Sequence, residues 1–157
     1  MLSNRPHHHR HSGLKSFFWL AALTCSLLWT ASPAWAAADC PQPRKTKTAP
    51  SSFLKQDIPG GARAEKGEVL FQKSAKPMAC KMCHGDKGDG QGPLGKALKP
   101  APRNFTCAAT MQDISPGQMF WVIKNGSAGT GMIAHGKKLS DSEIWDLVKY
   151  IQTSFAK

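Results

Sequence analysis

Cys80-Lys81-Met82-Cys83-His84 is the stretch on which the reading of this 157-residue chain turns. C-x-x-C-H is the signature for covalent attachment of a c-type haem. The spacing serves the chemistry. Two thiols add across the two vinyl groups of one porphyrin edge, and the short loop between them brings both sulfurs to that edge. The histidine that follows offers its imidazole to the iron. A dithiol redox pair would share the C-x-x-C but has no need of the histidine. A zinc site would need two further ligands, and Cys25, Cys40 and Cys107 form no second C-x-x-C pair.

Covalent haem makes a demand on location, because attachment takes place outside the bacterial cytoplasm. The N-terminus answers it. Residues 1–15 carry Arg5, Arg10 and Lys15 without an acid, residues 16–38 carry no charge, and Ala34-Trp35-Ala36 has the small-x-small pattern of a cleavage site. This order predicts a signal peptide over 1–36 and a periplasmic protein. The alternative is an uncleaved membrane anchor, since the uncharged stretch is long enough to span a bilayer; Pro33 and the alanine-rich end argue against it. Thr24 makes Cys25 a poor lipoprotein cysteine. The run His7-His8-His9-Arg10-His11 reads as part of the basic leader, not as a metal site.

Without residues 1–36 there remain 121 residues, enough for one small domain. They keep 18 Lys/Arg against 10 Asp/Glu, a net charge near +8. An exported chain meets no genome, so no nucleic-acid partner is expected. Steering toward an acidic protein or an anionic membrane surface accounts for the charge, with a generally solvated basic surface as the plainer reading.

Residues 37–61 hold four prolines and Gly60-Gly61 with no apolar period, and predict a basic, extended tail. A helix is expected from Arg63 to about Lys73, with Ala64, Gly67 and Phe71 on one face. Gly85 to Pro102 is glycine- and proline-rich loop. Ser115-Pro116 opens another helix that Asn125-Gly126 stops. In the last helix Ser140 and Glu143 form a capping box, and Ile144, Leu147, Val148 and Ile151 make one apolar stripe.

In this order around C-x-x-C-H, residues 62–157 resemble a class I cytochrome c. Lys66-Gly67-Glu68-Val69-Leu70-Phe71 looks like the family's first helix, and Asp146-Leu147-Val148-Lys149-Tyr150-Ile151 like the last helix that crosses it at Gly67. The resemblance implies an all-α fold, three to four helices around one covalent haem bound through Cys80 and Cys83. His84 would be one axial ligand. For the other, Met82 and Met78 are tied to the motif's own side, while Met111 and Met119 flank or occupy the third helix and read as core. Met132, in Gly129-Thr130-Gly131-Met132-Ile133, resembles the family's ligand loop and is the expected sixth ligand. His135 is its rival, otherwise a surface histidine. The resemblance further implies a Pro93 carbonyl accepting from His84, Leu94 against the haem edge, and Arg103 or the Trp121 indole near a propionate.

Two features depart from the family. Residues 72–79 lengthen the connection between Phe71 and Cys80, and their Lys73 and Lys76 would extend a docking face. Cys40 and Cys107 are expected to pair in an oxidising compartment, which chain entropy makes worth roughly 4 kcal/mol; an intermolecular bridge through Cys40 or a buried Cys107 thiol are the alternatives. The function implied is one-electron transfer by a monomeric respiratory or periplasmic carrier. It would not be an enzyme, since both axial positions are filled, and its redox partners would present acidic faces. A fixed haem subunit of a larger dehydrogenase or oxidase is one alternative, and a haem sensor or enzyme with an open sixth position another.

Overall fold

A glycine in mid-helix decides where the two main helices meet. In the computed structural model, which describes residues 40–42 and 46–156, Gly67 lies against the last helix so closely that an added Cβ would fall on the Asp146 carbonyl oxygen and 2.8 Å from Tyr150 Cβ. The expected leader over 1–36 lies outside the described residues, which all fall in one structural unit. Their elements in chain order are α1 (Ser51–Leu54), α2 (Ala64–Val69), α3 (Lys81–His84), α4 (Ala108–Met111), α5 (Pro116–Asn125) and α6 (Asp141–Ser154). Among the described residues there is no strand, so the fold is all-α. Three of the six helices are single turns of four residues, too short for an apolar period to announce them.

The α2–α6 crossing is sealed from both sides. Phe71 is fully buried, with ring centroids 5.5 Å from Tyr150 and 5.3 Å from Phe155. Asp146, a buried acid on α6, accepts the Arg63 N–H at 2.7 Å and so serves a backbone donor at the start of α2. The stripe Ile144, Leu147, Val148 and Ile151 is buried throughout, each side chain contributing roughly 1.5–3 kcal/mol of transfer free energy. Trp145 stacks on Phe120 with centroids 4.4 Å apart, joining α6 to α5.

The caps are where the sequence puts them. Ser140 Oγ accepts the Glu143 N–H, and Glu143 Oε2 accepts the Ser140 N–H at 2.8 Å. Ser115 Oγ accepts the Gln118 N–H, with Pro116 in the first turn of α5. The first long helix ends differently. After Val69 it widens into a π turn, Leu70–Ser74, closed by Ala75 N–H on the Leu70 carbonyl at 3.0 Å. This brings Ala75 inside, at 2% exposure, and starts the 72–79 connection back toward the core.

Residues 46–50 carry no helix or strand, but the stretch expected to be an extended tail then forms a helical turn, α1. The stretch is fastened to α5: Gln118 Oε1 accepts the Ala49 N–H at 2.7 Å, its Nε2 donates to the Lys47 carbonyl at 3.0 Å, and Phe53 stacks on Phe120 at 6.1 Å.

Candidate functional site

One helical turn arms the site. Cys80, in helical conformation, immediately precedes α3 as its N-cap, and because positions three and four apart share a helix face, Cys80, Cys83 and His84 all look the same way. The Cys83 and His84 N–H groups both reach the Cys80 carbonyl, at 3.2 and 2.9 Å. The loop behind folds flat onto this turn. Gly92 N–H meets the Cys83 carbonyl at 3.1 Å and Leu94 N–H the Met82 carbonyl at 2.8 Å. A Cβ at Gly92 would collide with the Lys81 and Met82 carbonyls, so only glycine lets the loop lie this close.

All three residues line a cavity of about 1040 Å³, at the upper end of the roughly 300–1,000 Å³ typical of cofactor and ligand sites. Met111, Met119, Val122, Ile123 and Ile151 make much of the rest of it apolar, and Met132 and His135 reach it from the segment between α5 and α6. Among the described residues, Cys80 and Cys83 are the cysteines outside a disulfide. Burial pushes the Cys80 thiol up to about 12, a nearby Cys83 adding to it against a lowering backbone hydrogen bond, and burial raises Cys83 as well. Both thiols are therefore protonated at neutral pH. A redox-active C-x-x-C wants the opposite, a thiol whose pKa is lowered. Among the described residues no group of three His, Cys, Asp or Glu side chains could hold a metal ion on its own. An apolar slot with two unpaired sulfurs and an imidazole on one turn fits a porphyrin better than it fits zinc or dithiol chemistry.

The imidazole is aimed by what surrounds it. His84 Nδ1 lies 3.0 Å from the Arg103 carbonyl; a carbonyl only accepts, so Nδ1 carries the proton and Nε2 is the nitrogen suited to a metal. Its ring lies against Phe105, centroids 4.5 Å apart and planes 16° from parallel. The acceptor is thus Arg103, where the sequence reading put Pro93. Because Gly92 is pressed onto α3, Pro93 turns outward, exposed and away from the cavity lining, and the chain returns beneath His84 only at residues 102–104. Leu94 does line the cavity mouth, 48% exposed.

Arg103 lines the cavity as well, its guanidinium donating to Thr46 Oγ1 at 2.7 Å. Trp121 does not line it. On α5 the residues at helical spacing toward the cavity are Gln118, Met119, Val122 and Ile123, which leaves Trp121 half-buried on another face.

Met132 is half-buried at the cavity wall, in a closed turn. Ser127 N–H reaches the Met132 carbonyl at 2.9 Å and Met132 N–H reaches Thr130 Oγ1 at 3.0 Å. Met111 and Met119 are core residues, each 6% exposed, although both also touch the cavity. His135 is not a surface histidine: it is 5% exposed, and its Nδ1 meets the Lys76 carbonyl at 2.9 Å. The reason lies in the 72–79 connection, which folds over it. Cys40 and Cys107 are joined in a disulfide. Sequence reasoning missed Phe105, Gln42, Thr46, Thr48 and Gln118, all of which line the cavity; only Phe105, an aromatic in a conspicuous Pro102-Arg103-Asn104-Phe105 run, left any signal.

Comparison with known proteins adds two findings. Residues 62–151 match the family described as "Cytochrome C oxidase, cbb3-type, subunit III". Among solved structures, a chain of the Kuenenia stuttgartiensis reducing HAO-like protein complex is similar, with 23% sequence identity and a TM-score of 0.49. The similarity covers 74% of this chain and 48% of that one, so this chain spans about half the length of its structural relative.

Proposed function

The chain belongs to that family of c-type cytochrome domains, and from this premise we propose a periplasmic one-electron carrier that holds a single haem through Cys80 and Cys83, with His84 and Met132 as axial ligands. The haem supplies the redox centre, an iron that alternates between ferrous and ferric states. The protein supplies the rest. Arg103 and Phe105 orient the imidazole, the Ser127–Met132 turn holds the thioether, and the core side chains of α5 and α6 keep water from the cavity. The observation that carries the reading is that one large cavity is lined at once by Cys80, Cys83, His84 and Met132. With His84 and Met132 both holding the iron, a bound haem would have no open position for substrate, which argues against catalysis.

Leu94, Met78 and Ile133 are 48%, 39% and 44% exposed and line the same cavity, giving its mouth an apolar rim. Exposed Lys73 and Lys76 stand nearby in sequence to Met78. An apolar contact edge with cationic surroundings suits brief docking to an acidic redox partner. The test is the visible spectrum, oxidised and reduced, of protein exported by cells able to attach haem. A c-type reduced spectrum with the weak far-red methionine–iron band when oxidised supports the proposal. Covalent haem without that band removes Met132, and no haem in cells that load a control cytochrome ends the reading.

The family description names an oxidase subunit, which favours a second reading: a fixed electron relay in a larger assembly. Isolation of the native protein from membranes as a stable, lone monomer would count against it.

A further inference from the structure

Gln42 grips the stretch that aims His84 from both sides. Its Oε1 accepts the Asn104 N–H at 2.9 Å, and its Nε2 donates to the Pro102 carbonyl at 2.8 Å. Between those two residues stands Arg103, the one whose carbonyl holds His84 Nδ1. The Asn104 N–H is the other end of the peptide group that carries the Arg103 carbonyl, and the Pro102 carbonyl belongs to the peptide group before it, so one side chain bonded to both fixes the direction in which the Arg103 carbonyl points. Arg103 is tied to the same N-terminal segment a second time, its guanidinium donating to Thr46 Oγ1.

The grip is itself anchored. Gln42 N–H donates to Thr110 Oγ1 at 3.2 Å, and two residues earlier Cys40 is bonded to Cys107. Pro41, Gln42, Thr46, Thr48 and Leu54 all line the cavity. None of these residues belongs to the part of the chain that matches the family, which begins at residue 62. A proline-rich lead-in with no purpose of its own would not be expected to carry a disulfide, a two-sided amide clamp and a share of the cavity lining.

We propose that residues 40–42 and Thr46 are a working part of the haem site, with Gln42 a positioning residue that sets the strength of the His84–Arg103 hydrogen bond and, through it, the reduction potential. The inference rests on the electron-transfer reading above. Its direction follows from ligand chemistry. An imidazole whose N–H is firmly held by an acceptor is a more basic ligand, and a more basic ligand favours ferric iron. Loosening the acceptor therefore moves the potential upward, second-shell hydrogen bonding being one of the levers on haem potential.

The experiment is a redox titration of exported, haem-loaded wild type and of Gln42→Met, which keeps the side-chain volume but makes neither bond. Phe53→Leu, which loosens α1 on Phe120 without touching the clamp, is the control. Gln42→Met is expected to titrate at a more positive midpoint and to lose hydrogen-exchange protection at the Asn104 amide, while Phe53→Leu keeps the wild-type midpoint. An unmoved midpoint in Gln42→Met overturns the proposal, as does an equal shift in Phe53→Leu, which would mean that any loosening acts alike. If Gln42→Met loads too little haem, Cys40→Ser with Cys107→Ser releases the segment with Gln42 intact, and the same upward shift or its absence decides. A wild type that holds no haem or shows no reversible one-electron wave would instead sink the carrier reading itself.

Discussion

Met132 owes its place to its neighbours, not to its own side chain. Thr130 Oγ1 accepts the Met132 N–H and its hydroxyl donates to the Ser127 carbonyl at 2.7 Å, so a threonine shapes the turn that carries the thioether. A thioether favours ferrous iron and raises the potential. Met132→Ala should therefore abolish the far-red band and lower the midpoint potential, read by spectroscopy and titration. His135 lines the same cavity, and with Nδ1 protonated toward Lys76 its Nε2 is an acceptor. A bis-histidine spectrum in Met132→Ala would show it taking the vacated position, and ready carbon monoxide binding would show the position left open. A wild-type band in that variant would remove Met132 from the site. At this scale the thiols and His84 were legible because side-chain identity carries their chemistry. The Arg103 carbonyl was not: every residue has one, and only the fold decides which peptide group arrives beneath the imidazole. His135 was misread for a related reason, since its burial depends on a distant connection whose sequence looks exposed.

Helix ends and crossings were the most readable elements, and they give the firmest numbers. Gly67→Ala should gain about 1 kcal/mol in helix propensity and lose about 3 kcal/mol by forcing α6 away from α2. The net loss of about 2 kcal/mol is measurable by denaturant unfolding; a more stable Gly67→Ala would show that the crossing gives way easily. The capping box adds a pH signature. The Ser140 N–H, and after it the Ser140 hydroxyl, hold the Glu143 carboxyl below the usual carboxylate range. A folded-state value below the unfolded one contributes stability at neutral pH that is lost as pH falls through the unfolded and then the folded value. Glu143→Gln keeps the shape and cannot titrate, so the wild type's advantage over it should shrink on acidification; a constant difference would rule the linkage out. Ser140→Ala should cost about 1 kcal/mol. These caps could be read because each is a local pattern of side chains. The α1 turn could not, because what holds it is a single phenylalanine against α5 and two bonds from Gln118, partners more than sixty residues away.

At the scale of the whole molecule, two properties are set by parts that no single element contains. The Cys40–Cys107 bridge closes a loop with a sequence separation of 67, and removing it should cost roughly 4 kcal/mol of stability on chain entropy, seen as a lower thermal midpoint of the loaded protein. Charge is the second. After the expected loss of residues 1–36 the chain stays near +8; among the described residues, Lys81–Asp86 and Lys124–Asp141 are ion pairs with exposed acids, of the kind that neutralise little. A field of that sign reaches about 30 Å at 0.01 M salt and about 10 Å at 0.1 M. If it steers docking, the second-order rate with an acidic redox protein should fall roughly tenfold or more across that range, while the rate with a small neutral oxidant stays level. Lys73→Glu with Lys76→Glu should lower the low-salt rate toward the high-salt one, because both exposed lysines lie in the 72–79 connection, which also carries the exposed, cavity-lining Met78. A protein–protein rate indifferent to salt would mean that the basic surface is merely solvated, and that recognition rests on the apolar rim of Met78, Leu94 and Ile133.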